Sequence, residues 1–135
     1  MLVGGLMGRA ACRRVLIFNW LLAASLFSPQ SQARGPIAPD QAINFAGTNQ
    51  TVCGKVVSSK FLSKQPSAAT FLNLDRPYPD QIFTAEILAE NRSRFPYPPE
   101  VELMNKNICV SGLVEVYKGK AQIFVKEPKQ INLNH

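Results

Sequence analysis

The side chains with most chemical potential in this sequence are cations set beside rings at glycine and proline turns. Tyr117, Lys118 and Lys120 surround Gly119, Arg76 and Tyr78 alternate with Pro77 and Pro79, and Lys60 and Lys64 share a polar stretch ending at Ser67. Cations hold phosphate and flat rings stack on bases, each stacked base being worth roughly 1–3 kcal/mol. The same residues have a plainer reading. Lysines at hairpin tips and sheet edges keep β proteins solvated and discourage edge pairing, and a tyrosine between two prolines packs its own turn. Arg92, Arg94, Phe95 and Tyr97 form a second basic and aromatic group, expected beside a helix and away from the first.

Other chemistries are poorly supplied. His135 is the only histidine and the last residue. No serine stands in a nucleophile-elbow sequence, and no histidine is placed to serve as its base. Cys53 and Cys109 lack the further cysteines or histidines of a zinc site, which usually has four ligands. The sequence therefore predicts no catalysis, no metal and no cofactor.

A chain of 135 residues with a formal charge of +6 allows one domain. Its first part reads as an export signal. Arg9, Arg13 and Arg14 precede an apolar run of 13 residues, 15–27, broken only by Asn19 and Ser25, and Ser31-Gln32-Ala33 follows Pro29. A basic lead, an apolar run and a small-residue exit are the parts of a secretory signal. The run is shorter than the roughly 20 residues a spanning helix needs, so cleavage after residue 33 is predicted, with no stable membrane anchor left behind. A start at Met7 would leave the same signal with a shorter lead. Cys12 precedes the apolar run and so is not a lipid-attachment site. The expected location is the periplasm or the medium.

Removing 1–33 takes three of the fifteen basic residues and none of the nine acidic ones, leaving +3. So small an excess does not by itself imply nucleic acid; only clustering of the cations would. Cys53 and Cys109 are then the remaining cysteines, in an oxidising compartment where bridges persist.

Residues 34–50, rich in Pro, Ala, Gly and Gln, read as a flexible leader, with at most one helical turn from Asp40 to Phe45 capped by Asp40. A folded domain over 51–135 follows. Thr51 to Ser59 is β-branched and reads as a first strand, with Gly54 marking a bulge or bend. Ala69 to Asp75 is the second, with Leu72 and Leu74 on one face and Phe71 and Asn73 on the other, although Phe71 and Phe83 are both expected in the core by residue type. Gln81 to Leu88 is the third, with Phe83, Ala85 and Ile87 sharing a face. Pro98-Pro99 suits a helix start, predicting a short helix from Glu100 to Met104. The stretch 108–125 alternates through Ile108, Val110, Val114 and Val116, turns at Gly119 and resumes at Ile123 and Val125, which is a β-hairpin. Residues 127–135 are expected to trail off after Pro128. Three strands, a helix and two strands predict an all-β, five-stranded barrel with the helix between strands three and four, the architecture of the OB-fold.

Three stretches carry a resemblance: C-G-K-V-V at 53–57, T-F-L-N-L-D-R-P-Y-P at 70–79 and I-C-V-S-G-L-V-E-V-Y-K-G-K-A-Q-I at 108–123. Over residues 51–132 the chain resembles OB-fold domains of the nucleic-acid-binding type, and in particular small exported bacterial OB-fold proteins. In that topology the first strand lies beside the second and the fourth, so Cys53 and Cys109 fall on neighbouring strands. Both are out of phase with their inward neighbours, which implies a disulfide, the alternative being two free thiols. The chain-entropy model gives such a bridge about 4 kcal/mol.

The resemblance also implies a single-stranded DNA or RNA site on the outer face of strands two and three and the adjoining loops. Carried onto this sequence, its candidates are Lys55, Lys60, Lys64, Arg76, Tyr78, Tyr117, Lys118, Lys120 and Lys126. Staphylococcal-type nucleases build a calcium-dependent phosphodiesterase on such a barrel, but Asp75, Asp80, Glu86, Arg92 and Arg94 do not align with their motif. The competing expectation is a module of the cell envelope that binds protein or glycan through the same face.

Overall fold

Residues 35–64, 66 and 68–134 are described by a computed structural model. The predicted secretory signal lies outside the described residues.

The first strand, β1 (Asn49–Leu62), is longer than its β-branched centre predicts. Its register shifts between Val56 and Ser58, and this bulge gives it two partners. Residues 49–55 pair antiparallel with β4 (Asn107–Tyr117), and residues 56–62 pair antiparallel with β2 (Ala69–Leu74). Lys60, Phe61 and Leu62, past the predicted strand end at Ser59, continue it and pair with Phe71, Thr70 and Ala69. The bend is therefore not at Gly54. That glycine is required for a different reason: a Cβ there would lie 2.8 Å from both Asp75 Oδ1 and Pro39 Cγ.

β2 pairs with β3 (Phe83–Leu88), which starts two residues later than predicted because the turn before it holds the chain as far as Asp80. That turn carries a cis peptide between Tyr78 and Pro79. β3 runs parallel to β5 (Lys120–Phe124), and β5 pairs antiparallel with β4. The order β1-β2-β3-β5-β4 closes through the β1–β4 pairing. Period-two alternation points Val52, Val56, Leu72, Leu74, Phe83, Ile87, Ile108, Val110, Val114 and Ile123 into the interior, all fully buried. Removing a side chain of that size from water stabilises by about 1.5–3 kcal/mol, so the inward face selects the register.

Two single-turn helices, α1 (Ala89–Arg92) and α2 (Pro99–Glu102), occupy the β3–β4 connection where one was expected. Pro99 stands in the first turn of α2, where its missing N–H has no helical partner to lose. The hairpin turn is the two-residue type: Tyr117 pairs with Lys120, and Lys118 and Gly119 have φ of 49° and 75°. Two positive φ values match the right-handed twist of the flanking strands. Cys53 stands directly opposite Cys109 and is bonded to it, as the topology implied.

Both flanks of the barrel depart from expectation. Residues 39–45 form a 3-10 helix that begins at Pro39, after Ala38, so Asp40 is inside it and does not cap it. Ile37 bridges to Val52 in parallel, and Ile37 and Ala42 join the core. This part of the segment read as a loose leader is packed into the domain, because a few apolar residues spaced among polar ones are enough to dock it. At the other flank Pro128 starts a 3-10 helix (Pro128–Gln130) and does not end the fold. A sixth strand, β6 (Ile131–Leu133), then pairs with β4. The Gln130 side chain fixes this segment: its Oε1 accepts from the N–H groups of Lys126 and Glu127 at 2.7 and 3.1 Å, and its Nε2 donates to the carbonyls of Ser111 and Phe124 at 3.0 and 3.4 Å. The whole is an OB-fold barrel with two short helices between its third and fourth strands and one strand added at the end.

Candidate nucleic-acid interface

Alternation that sends Leu72 and Leu74 inward must send Phe71 and Asn73 outward. Phe71 is accordingly half-buried on the outer face, not in the core where its residue type placed it, whereas Phe83 is fully buried. Pairing then sets two cross-strand rows on this face. One row runs Lys60, Phe71, Glu86, Phe124 from β1 through β2 and β3 to β5. The next runs Ser58, Asn73, Thr84, Gln122 across the same strands. Directly opposed residues on neighbouring strands lie about 5 Å apart, so each row is a contiguous strip.

These rows floor a groove of about 1010 Å³, walled by the hairpin tip and by the turn after β2. Of the nine candidates, it gathers five: Lys60, Tyr78, Tyr117, Lys118 and Lys120. Tyr78 and Tyr117 stand at its rim, 74% and 58% exposed. Lys120 Nζ donates to the Pro79 carbonyl at 2.6 Å, tying the hairpin to the turn across the groove mouth. Lys118 Nζ lies 5.3 Å from the centre of the Tyr117 ring.

The other four candidates lie outside the groove lining. Lys55 is on the β4-paired half of β1, opposite Asn107. Lys64 is exposed beyond the end of β1. Arg76 lines a second cavity of about 700 Å³ with Asp40, Asp80 and Lys120. Lys126 follows β5, its carbonyl accepting from Arg94 Nη1 at 3.4 Å.

The groove floor is pre-set by hydrogen bonds. Thr84 Oγ1 donates to Asn73 Oδ1 at 2.8 Å, Asn73 Nδ2 donates to Ser58 Oγ at 2.9 Å, and the Tyr78 N–H donates to the same Oγ at 3.1 Å. This chain locks three strands and the turn together, and it leaves the buried Asn73 and Thr84 satisfied. Glu86 differs. Burial raises its pKa above the ordinary carboxylate value. Among the described residues no hydrogen bond or ion pair meets its carboxylate. Ser58, Asn73, Thr84, Glu86 and Gln122 were not picked out by residue type. Alternation outward from Leu72, Phe83 and Ile123 finds Asn73, Thr84, Glu86 and Gln122, whereas Ser58 faces outward only because the bulge after Val56 shifts its register.

The second basic group is structural. Arg92 donates from Nη1 and Nη2 to the two carboxylate oxygens of Glu100, both at 2.7 Å, and also to Thr70 Oγ1. Its guanidinium carbon lies 3.7 Å from the centre of the Phe61 ring. The hydrogen bonds from Arg92 hold Glu100 below the ordinary carboxylate value. Ser59 Oγ adds a bond to the Glu100 carbonyl at 2.7 Å, so α2 is fastened to β1 behind the groove. Among the described residues no three carboxylate, cysteine or histidine side chains gather as a metal ion would require.

No protein-family model matches the sequence, and no curated protein matches it. Among solved structures the chain is similar to an asparaginyl-tRNA synthetase from Pyrococcus horikoshii, at 13% identity and a TM-score of 0.49, over 72% of this chain and 22% of that one. It is also similar to a protein assigned as an aspartyl-tRNA synthetase from Leishmania major Friedlin, at 15% identity and a TM-score of 0.48, over 78% of this chain and 22% of that one. This chain spans about a fifth of the length of either protein.

Proposed function

We propose that this domain binds single-stranded nucleic acid along the groove over β2, β3 and β5, without catalysis, and that it does so as an exported protein. The observation that carries the reading is the row holding Phe71 and Phe124, two outward rings on the sheet, with Tyr78 and Tyr117 at the rim and Lys60, Lys118 and Lys120 around it. Rings take bases and the lysines take phosphates, the division of labour that single-strand binding uses. Export is supported by the N-terminal basic and apolar pattern and by the Cys53–Cys109 bond, since disulfides persist in oxidising compartments.

A second reading has its own observation. The groove also exposes Leu62, Leu88 and the carboxylate of Glu86, which suits an envelope protein segment or a glycan. Salt separates the two. Titration into a labelled single-stranded oligonucleotide at two salt concentrations should show affinity falling steeply as salt rises, because bound phosphates release counterions. Replacing Lys118 and Lys120 together by alanine should weaken binding and flatten the logarithmic salt slope by about two. No binding at low salt would favour the envelope ligand.

A further inference from the structure

Glu86 is an unusual residue to find on a face meant for a polyanion. It stands between Phe71 on one side and Phe124 on the other, one strand spacing from each. It lines the groove without a hydrogen-bond or ion-pair partner among the described residues. Its nearest cation along the row, Lys60, is two strands away, about 10 Å. A carboxylate left unpaired between two rings is set to meet hydrogen-bond donors carried on a flat ligand. On the same face, Gln122 stands two residues before Phe124 and so diagonal to Glu86, within reach of a ligand of that size.

Resting on the nucleic-acid reading above, we infer that Glu86 makes this groove selective for guanine, its carboxylate accepting from the Watson–Crick edge of a base held against Phe71 or Phe124. Guanine presents two adjacent donors on that edge, N1–H and the N2 amino group, which match the two oxygens of a carboxylate. Its O6 beside them is an acceptor, which the Gln122 amide can meet. The other bases fit worse. Cytosine and adenine each offer one amino donor next to a bare ring nitrogen whose lone pair faces the carboxylate. Thymine and uracil offer one N–H between two carbonyls. The phosphates of such a strand fall toward the rim, where Lys60, Lys118 and Lys120 lie, so the carboxylate reads the base and not the backbone. The raised pKa of Glu86 agrees with a carboxylate desolvated before a ligand arrives.

The test uses the purified protein and a fluorescent oligothymidine at low salt, with one central thymidine replaced in turn by guanosine, inosine, cytidine or adenosine. Guanosine should bind roughly tenfold tighter than the parent, within the range of a good two-bond base contact. Inosine, which lacks the N2 amino group, should lose most of that gain. Glu86→Gln should remove the guanosine preference, so that the guanosine-containing and parent strands bind the variant with nearly equal affinity. Equal affinity for all five strands would overturn the selectivity while leaving nucleic-acid binding in place. Failure to bind any of them would overturn both. The inosine comparison is made on the unaltered protein, so it stands even if Glu86→Gln perturbs folding.

Discussion

The two halves of β1 do different work. Residues 49–55 are held from every side: β4 pairs along them, the disulfide crosses from Cys53, Ile37 pairs with Val52, and Gly54 lies under Asp75 and Pro39. Residues 56–62, beyond the bulge, pair with β2 and turn Ser58 and Lys60 into the groove. One length of chain thus joins a braced half to a half whose polar side chains line the proposed groove. The contrast extends to two carboxylates. Glu100, behind the groove, has both oxygens bound by Arg92, whereas Glu86, in the groove, has neither oxygen bound among the described residues.

If that division holds, mutations in the braced half should cost stability and spare binding. The largest effect is expected from Cys109→Ala, which frees a loop with a sequence separation of 56 and should lower unfolding free energy in urea by about 4 kcal/mol. Oligonucleotide affinity measured well below the new midpoint should stay within twofold; a parallel loss of affinity would mean the halves are not separable. Gly54→Ala should cost about 1–3 kcal/mol, because its Cβ has no room against Asp75 and Pro39.

Arg92→Ala should cost about 2 kcal/mol, combining a bidentate half-buried ion pair with the contact to Phe61. It should also change the acid limb of stability. The carboxyl of Glu100 is held low in the folded protein, so its contribution is present above its unfolded pKa and lost as pH falls through the folded value. Urea midpoints between pH 7 and pH 3 should therefore fall less steeply in the variant. Glu86 should act with the opposite sign: raised by burial, it favours the fold at low pH and loses that contribution as pH rises through its folded value.

The smallest effect sharpens the comparison most. Lys118 has a left-handed backbone, φ 49°, that a lysine adopts at some cost and asparagine adopts readily. Lys118→Asn should stabilise by about 0.5 kcal/mol and still weaken oligonucleotide binding. Opposite signs from one substitution, read by thermal melting and by titration, would place that residue on the functional side.

What could be read beforehand was whatever rests on short-range alternation. The 108–125 hairpin and the shared face of Leu72 and Leu74 follow from period two and a turn, whereas the opposition of Cys53 to Cys109 came from the topology that the OB-fold resemblance implied. What escaped depended on tertiary partners. Phe71 looked like core because rings usually are, although its neighbours had already assigned it outward. Pro128 looked like the end of structure and Pro39 lay in a stretch read as a loose leader, yet each begins a 3-10 turn whose apolar neighbours, Ile131 and Ala42, are buried. The Ser58–Asn73–Thr84 chain spans three strands, and no local pattern encodes it. Glu86 was not singled out for the groove because nothing nearby in sequence says that Phe71 and Phe124 stand on either side.

Gln130 has a consequence for how copies of this protein treat one another. Along one side of β4, residues 108–110 are zipped to β6 and residues 114–117 to β5, and the Gln130 amide fills part of the interval by holding the Ser111 carbonyl. A second molecule therefore finds little exposed backbone there on which to lay a strand. Gln130→Ala, by loosening that clasp, would turn a sealed seam into an adhesive one and make self-association rise with protein concentration.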